Sequence, residues 1–530
     1  MLPTPQLHHF PSQPQQILII KDFNPSQLLK YSNLSKLKIN LPINQPLGLF
    51  NKLCKDLKTL KSLKSLHLNC SGQGINDSNI KVLSFVLRRL YGLKSVTLNL
   101  KHNYGVNGES IVELFKGIKK KRSVEKIWID FSGCGKISYE HLTSIYTSLS
   151  EMKPLKYFYI NYSEVLIQCE GSKELLENSF RRLRKLRCLE GLLINDKMLQ
   201  INMATLSHNI SRMKKLSKFS LDFENFSILE PNDFDLLIHS LKSCCKLQKL
   251  HLNFLQFSSS NFATQNLFDL ISKALENSPS LSNLLLNFSY NHRATSSQLQ
   301  KLFLTLQTLP SLSTLDLNFS FCPNLDNKTL EFLSKSLMNL KNLTSLKINL
   351  FQCSLMNGQG LITFSEALRN LTSLQVFEFS FTSHAIQSGF PSFSQALIHL
   401  KNLSRLSLRF CDSQNFSDED LKILAETLSC LKSLKSLDLS FSFCVLITDI
   451  GLKNLALSIK NLQCLNILSL NCFGCRRITK ERVEYFKYHI SRLKSLREIS
   501  WEFPKNLGSV SFCSHQPQQE FSCQSTCSIF

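Results

Sequence analysis

Two groups of residues in this 530-residue chain, both rich in cysteine, are of types that could bind a metal or take part in redox chemistry. Cys472 and Cys475 form a CxxC pair, a spacing that serves thiol–disulfide exchange or zinc binding in other proteins. A second group, near the C-terminal end, comprises Cys513, His515, Cys523 and Cys527. Its spacing matches no strong zinc template. Cys472 and Cys475 fall on positions of an internal repeat where packing explains them, so we predict no metal site.

The last four residues, Cys527-Ser528-Ile529-Phe530, fit the C-a-a-X prenylation motif, in which a final Phe favours a geranylgeranyl group. The segment after Pro504 is polar, as a flexible anchor requires. Lys505 is the one cation close to the motif, and a single prenyl chain without a polybasic run binds membranes weakly. We therefore predict membrane contact only if Cys527 is lipidated.

No catalytic motif accompanies these residues. The sequence contains no Walker loop, no protein-kinase signature and no His-Glu-x-x-His zinc motif. We predict that the protein is not an enzyme and has no catalytic residue, no cofactor and no small-molecule substrate.

A repeated unit accounts for most of the chain. The segment LSTLDLNF at Leu312 returns as LTSLKINL at Leu343 and as LQVFEFSF at Leu374. Sixteen copies occur at spacings of 27 to 34 residues, most of them 31, which indicates one repeat architecture. The copies begin at Leu34, Leu63, Leu93, Val124, Leu155, Leu189, Leu216, Leu247, Leu281, Leu312, Leu343, Leu374, Leu403, Leu434, Leu465 and Leu496. Positions within a copy are given below as offsets from these residues.

The first half of each copy has the pattern of a strand. Apolar residues at offsets +3, +5 and +7 alternate with polar residues at +4 and +6, a period of two. Phe is frequent at +7, as in Phe288, Phe319 and Phe441. We predict that this column packs in the core. We interpret the Asn-rich column at +6 as a ladder of side-chain hydrogen bonds.

The second half of each copy has the pattern of a helix. In the copy at Leu434, apolar residues recur at steps of three and four and so share one helix face. Residues that favour helix N-caps precede these segments: Asp326, Ser417, Thr448 or Asp449, and Thr479.

Alternating strands and helices predict an α/β fold, a leucine-rich-repeat solenoid or horseshoe of about sixteen repeats with a parallel concave sheet and convex helices. One strand–helix unit cannot bury both of its apolar faces, whereas stacked units share a continuous core. We predict an N-terminal cap or flexible segment at residues 1–33, the repeat domain at 34–503 and a flexible Cys-containing tail at 504–530.

The repeats resemble leucine-rich repeats of the ribonuclease-inhibitor-like class. The copy with Leu437, Cys444 and Gly451 is similar to the cysteine-containing subtype that is common in F-box proteins. Cysteine recurs at offset +10 in five copies: Cys134, Cys322, Cys353, Cys444 and Cys475. The resemblance implies a protein-binding solenoid. It also implies two alternatives, a substrate adaptor of an SCF-type ubiquitin ligase and a GTPase-activating regulator. We find no F-box in residues 1–33, and no activating residue can be transferred.

Positive charge is concentrated in the N-terminal half. The chain has 62 Lys+Arg and 39 Asp+Glu, a net charge of +23, and residues 1–250 hold 37 of these cations and 20 of the anions. The largest clusters lie at 119–122 and 181–187. We interpret this charge as a solvated surface, with attraction to acidic proteins, anionic lipid or nucleic acid as the alternative. No nucleic-acid recognition module accompanies it, so we do not predict nucleic-acid binding.

Offsets +2, +4 and +6 should lie on the concave face, where most copies carry Ser, Asn, Thr or Lys. Two adjacent copies instead carry aromatic residues beside charge, which interaction hot spots favour; the alternative is that cross-strand aromatic pairs stabilise the sheet. A second, smaller patch consists of Arg405 and Arg409, near Glu378 and Asp438. We predict that a protein partner of unknown identity binds at Lys126, Trp128, Tyr157, Tyr159, Arg405 and Arg409.

The sequence also bears on location. The first apolar stretch, at residues 17–20, is too short for a signal peptide, and no apolar run reaches the length of a transmembrane helix. Eighteen cysteines in 530 residues are too dilute for a disulfide scaffold. We predict a cytoplasmic monomer, with the nucleus as an alternative location and the membrane periphery if the chain is prenylated.

Overall fold

A computed structural model describes residues 17–20, 34–41, 47–120, 123–162, 164–168, 173–186, 189–195, 203–222, 231–256, 264–276, 278–382, 386, 388–504 and 509–513. Strands and helices alternate along these residues, as the repeat predicts. Each of the sixteen copies supplies a strand that begins at offset +2. The strand of every copy therefore lies where the repeat predicts it.

The strands of the described residues are β1 Ile17–Ile20, β2 Lys36–Asn40, β3 Ser65–Asn69, β4 Ser95–Asn99, β5 Lys126–Asp130, β6 Lys136–Ser138, β7 Tyr157–Asn161, β8 Leu166–Gln168, β9 Gly191–Asn195, β10 Lys218–Asp222, β11 Lys249–Asn253, β12 Asn283–Asn287, β13 Thr314–Asn318, β14 Ser345–Leu350, β15 Val376–Phe381, β16 Arg405–Arg409, β17 Ser436–Ser440, β18 Ile467–Asn471, β19 Glu498–Glu502 and β20 Ser509–Cys513.

The helices of the same residues are α1 Leu47–Leu57, α2 Asp77–Leu87, α3 Gly108–Lys119, α4 Tyr139–Ser150, α5 Lys173–Arg181, α6 Met203–Arg212, α7 Pro231–Lys242, α8 Thr264–Leu275, α9 Ser296–Leu306, α10 Asn327–Leu337, α11 Gly358–Asn370, α12 Phe390–Leu397, α13 Asp418–Cys430, α14 Asp449–Ile459 and α15 Lys480–Ile490. A 3-10 turn, Arg182–Lys185, follows α5.

The chain divides into two compact units. Unit 1 comprises Met1–Asn225 and His239–Lys246, and unit 2 comprises Phe226–Ile238 and Leu247–Phe530. In unit 1, β2, β3, β4, β5, β7, β9 and β10 pair in that order, and every pair is parallel. In unit 2, β11 to β19 pair in chain order and are also parallel. Parallel neighbours need a crossover, which the helices supply. The predicted α/β leucine-rich-repeat solenoid is confirmed.

The core lies between the sheet and the helices. Strand residues at +3 and +5 are buried wherever the structure describes their side chains, except for the half-buried Ile499, and the Phe column at +7 forms stacks within the core. In unit 2 the ring of Phe288 lies 5.3 Å from that of Phe254 and 5.4 Å from that of Phe319, centroid to centroid. Helix residues such as Leu452 and Leu455 close the core from the other side. Core packing of the Phe column is thus confirmed.

A tight turn follows each strand, and two offsets build it. Offset +9 has a left-handed backbone, with φ of 58° at Phe321 and 61° at Phe443, whereas Gly474 adopts this conformation at less steric cost. At +10 the buried thiol of Cys322 donates to the carbonyl oxygen of Phe288 at 3.2 Å. Asn103 occupies the same offset and donates to the carbonyl of Cys70 at 2.9 Å. Cys and Asn side chains at +10 therefore join these turns to the preceding repeat.

The predicted N-caps are confirmed at Asp326, Ser417 and Thr479. Thr448, rather than Asp449, caps α14. Asp449 instead accepts hydrogen bonds from the backbone N–H and the hydroxyl of Thr479, both at 2.8 Å. The first residue of one helix thereby orients the cap of the next.

The outer strands of the two units lie outside the repeats. β1 pairs in parallel with β2, within residues 1–33. β20 pairs antiparallel with β19, so residues 509–513 form a strand inside the segment predicted as a flexible tail. His515, Cys523 and Cys527 lie outside the described residues, and prenylation of Cys527 stays a prediction. None of the helices described here combines the length and apolar character that a membrane crossing would require.

Candidate functional site

The strand period determines which side chains lie on the open face of each sheet, the face opposite the helices. In β5, Lys126 is exposed and Trp128 half-buried, whereas Ile127 and Ile129 are buried. β7 repeats the pattern with Tyr157 and Tyr159 half-buried. Lys126, Trp128, Tyr157 and Tyr159, here called the aromatic patch, therefore lie on the open face of unit 1.

Trp128 and Tyr159 form a stacked pair. They are directly opposite in the register of β5 and β7. Their ring centroids are 5.0 Å apart with an interplanar angle of 21°. On the other side Trp128 is opposite Thr97, a small side chain of β4. The pair is thus a rigid, partly exposed apolar surface of the kind that anchors a partner with little loss of side-chain entropy.

Tyr157 extends the patch toward the next strands. The Nζ atoms of Lys126 and Lys218 each lie 5.0 Å from the centroid of its ring, within cation–π range. The Tyr157 hydroxyl donates to the carboxylate of Glu190. This hydrogen bond, with burial and the charge of Glu190, raises the pKa of Tyr157 to about 12. The phenol therefore stays neutral at physiological pH.

Gly191 makes room for the Tyr157 ring. It is opposite Tyr157 in β9, and a Cβ atom at this position would lie 2.5 Å from Cδ1 of Tyr157. Sequence reasoning missed Gly191, Glu190 and Lys218. A signal existed, since Gly191 is the one glycine at offset +2 among the sixteen copies.

The Asn column at +6 has another main role than the predicted ladder. Asn287 accepts from the backbone N–H of Ser289 at 3.0 Å, and Asn318 accepts from that of Ser320 at 3.0 Å. These local bonds close the turn after each strand. A side-chain bond between repeats joins Asn287 to Asn253 at 2.7 Å. The Asn side chains of this column therefore act mainly by closing turns. A hydrogen bond to the backbone N–H two residues later forms within one repeat and does not require the side chains of neighbouring repeats to be aligned.

In unit 2, Arg405 and Arg409 differ in whether they form an ion pair. Arg409 pairs with Asp438 on the next strand at 2.9 Å, and Ser407 donates to the same carboxylate at 2.8 Å. Arg405 is exposed and has no ion pair among the described residues. The side chain of Arg405 is therefore available for contact with a partner, whereas that of Arg409 is already paired with Asp438.

A charged row crosses the open face of unit 2 beside these arginines. Asp316, Lys347 and Glu378 occupy offset +4 on neighbouring strands. Lys347 pairs with Glu378 at 3.0 Å. Burial raises the pKa of Asp316 to about 6, with Glu378 adding to the rise and Lys347 opposing it. Asp316 is consequently the carboxyl group on this face that titrates closest to neutral pH among the described residues with a resolved shift.

The CxxC cysteines are part of the core. Cys472 and Cys475 are buried, and the thiol of Cys475 donates to the carbonyl oxygen of Phe441 at 3.2 Å. Hydrogen bonding with Cys475 and burial both raise the pKa of Cys472. A buried, protonated thiol is a poor nucleophile and a poor metal ligand. Within the described ranges, no three His, Cys, Asp or Glu residues are grouped so as to hold a metal ion.

No protein-family model and no curated protein matches this chain. A chain of the solved structure described as "Crystal structure of Rad7 and Elc1 complex in yeast" is similar to it at 15% sequence identity and a TM-score of 0.45. The similarity covers 77% of this chain and 86% of that chain. We draw no functional conclusion from so distant a likeness.

Proposed function

We propose that the protein is a non-enzymatic interaction scaffold that binds a protein partner through the aromatic patch of unit 1. The observation that carries the proposal is the stacked pair of Trp128 and Tyr159, partly exposed on a face that is otherwise mostly small and polar. Lys126 adds positive charge at the rim of this apolar centre. An aromatic centre with a charged rim is the usual anatomy of a protein-binding hot spot.

The double substitution Trp128→Ala with Tyr159→Ala tests the patch. We expect loss of a partner that wild-type protein retains in affinity purification, because the substitutions remove the rigid apolar surface. Both side chains lie outside the core, so circular dichroism and the thermal midpoint should stay close to wild type.

The matched control replaces two exposed tyrosines elsewhere, Tyr104→Ala with Tyr488→Ala. This control should retain the partner. Retention of the partner by the Trp128 and Tyr159 variant would show that the patch is not the binding surface.

We also propose that the repeats belong to the ribonuclease-inhibitor-like class with cysteine-containing units. Buried thiols at +10 support this, since Cys353 and Cys444 each donate to a carbonyl of the preceding repeat at 3.2 and 3.1 Å. Because that subtype occurs in F-box proteins, an adaptor of a ubiquitin ligase is the second candidate function. Crosslinked purification that recovers no ligase component would count against it.

A further inference from the structure

The edge of unit 1 where helices end and strands begin is lined with lysines. Successive turns of this edge are joined by backbone hydrogen bonds at offset +1, from Lys94 to Lys64, from Glu125 to Lys94 and from Lys156 to Glu125, at 2.7 to 2.8 Å. We call six exposed lysines in these turns the cationic edge: Lys61, Lys64, Lys120, Lys153, Lys185 and Lys214. Stacking of the turns places them along one side of the unit.

Carboxylates of the chain already bind at this edge. The carboxylate of Glu125 lies 3.4 Å from Nζ of Lys94 and 2.9 Å from Nζ of Lys156. It therefore joins cations of the repeats on either side of its own. Lys119 pairs with Glu151 of the next repeat. Two successive turns of this edge therefore already pair a carboxylate with lysine.

The six lysines of the cationic edge have no such partner. None of them forms an ion pair among the residues that the structure describes. Unbalanced charge of one sign destabilises a folded unit by self-repulsion. An external anion that lies along the edge would relieve this repulsion and complete the pattern that Glu125 begins.

We propose that the cationic edge binds a carboxylate-rich, extended segment of a protein. Carboxylate is the chemistry that the edge itself pairs with, and a run of acidic residues stays extended because its charges repel one another. An extended acidic segment can follow a row of turns and place one side chain near each. This surface is distinct from the aromatic patch and goes beyond the scaffold function proposed above.

The test measures binding of fluorescein-labelled poly-L-glutamate by fluorescence anisotropy over a range of salt concentrations. The variant carries Lys61→Glu, Lys153→Glu and Lys214→Glu, three exposed positions in three different turns. We expect its affinity to fall at least about tenfold relative to wild type, and the wild-type affinity to fall as salt rises. The matched control, Lys301→Glu with Lys453→Glu and Lys480→Glu, changes net charge equally on exposed helix positions of unit 2 and should bind as wild type.

The Trp128→Ala and Tyr159→Ala protein should bind poly-L-glutamate normally, which separates this proposal from the scaffold proposal. Three results would overturn the assignment. The first is no binding of poly-L-glutamate by wild type, and the second is an equal loss in the edge and control variants. The third is tighter, edge-dependent binding of duplex DNA or of phosphatidylserine–phosphatidylcholine vesicles, which would assign the edge to phosphates.

Discussion

At the scale of single residues, a glycine, Gly191, shapes the aromatic patch because it has no side chain. Tyr157 reaches Glu190 and Lys218 because Gly191 leaves its ring free space on the neighbouring strand. The backbone of Gly191 is an ordinary strand, so an alanine there conflicts with the tyrosine ring and not with its own conformation.

We expect Gly191→Ala to turn the Tyr157 ring away from Glu190. Loss of that hydrogen bond should lower the pKa of Tyr157 from about 12 toward its ordinary value near 10, as seen by ultraviolet titration of the tyrosinate. Partner binding should weaken in parallel. Gly48→Ala, where a Cβ atom would meet no neighbour, is the matched control. An unchanged Tyr157 titration would show that the ring does not need this gap.

Asp316 is expected to make the stability of unit 2 depend on pH. Its pKa is raised to about 6, so folding favours the protonated form, and the stability present below the ordinary pKa of 3.8 is lost as pH rises through about 6. Asp316→Asn should therefore raise the free energy of unfolding by about 1–2 kcal/mol near pH 7.5 and by little near pH 4. Urea unfolding followed by Trp501 fluorescence measures both. A gain of the same size at the two pH values would contradict the titration.

At the scale of elements, adjacent repeats are joined at the starts of their helices. Asp418, the first residue of α13, accepts from the backbone N–H and hydroxyl of Thr448 at 2.8 and 2.5 Å, and from the N–H of Gly451 at 3.0 Å. One side chain thus satisfies two N–H groups at the start of α14, which no helix carbonyl can reach.

Asp418→Ala should lower the free energy of unfolding of unit 2 by about 2 kcal/mol, because it leaves those donors without a protein acceptor. Glu419→Ala is the matched control, since Glu419 is exposed and pairs only with Lys422 at 3.2 Å among the described residues. It should cost less than about 0.5 kcal/mol. Similar urea midpoints for the two variants would show that the bonds of Asp418 contribute little.

At the scale of the whole molecule, the division into two units predicts unfolding that depends on where a repeat is weakened. In repeat proteins each repeat is stabilised mainly by the repeats next to it along the chain. The two tryptophans report separately, since Trp128 lies in unit 1 and Trp501 in unit 2.

Leu98→Ala and Leu439→Ala remove equivalent fully buried leucines at offset +5, one in each unit, and each should cost about 2–5 kcal/mol. Leu98→Ala should lower the urea midpoint of Trp128 more than that of Trp501, and Leu439→Ala should do the reverse. Single-tryptophan variants, Trp501→Phe and Trp128→Phe, resolve the two signals. Equal shifts of both midpoints would mean that the chain unfolds as one cooperative body.

The sequence by itself determined the repeat, its strands and helices, the N-caps and the buried Phe column. These features depend on local periods of two and 3.6 residues and on caps a few residues away, so they can be read without knowing what lies beside a given strand. The open-face position of Trp128 and Tyr159 follows from the same alternation, as does their adjacency in consecutive copies.

Only the tertiary structure decided which side chains meet across repeats. Lys218 lies 61 residues beyond Tyr157, across spacings of 34 and 27 residues between copies, so its position over the ring depends on the three-dimensional register. The division into two units and the raised pKa of Asp316 likewise follow from packing and burial. Burial and cross-repeat distance are sums over many neighbours, and a local pattern of residue types does not contain them.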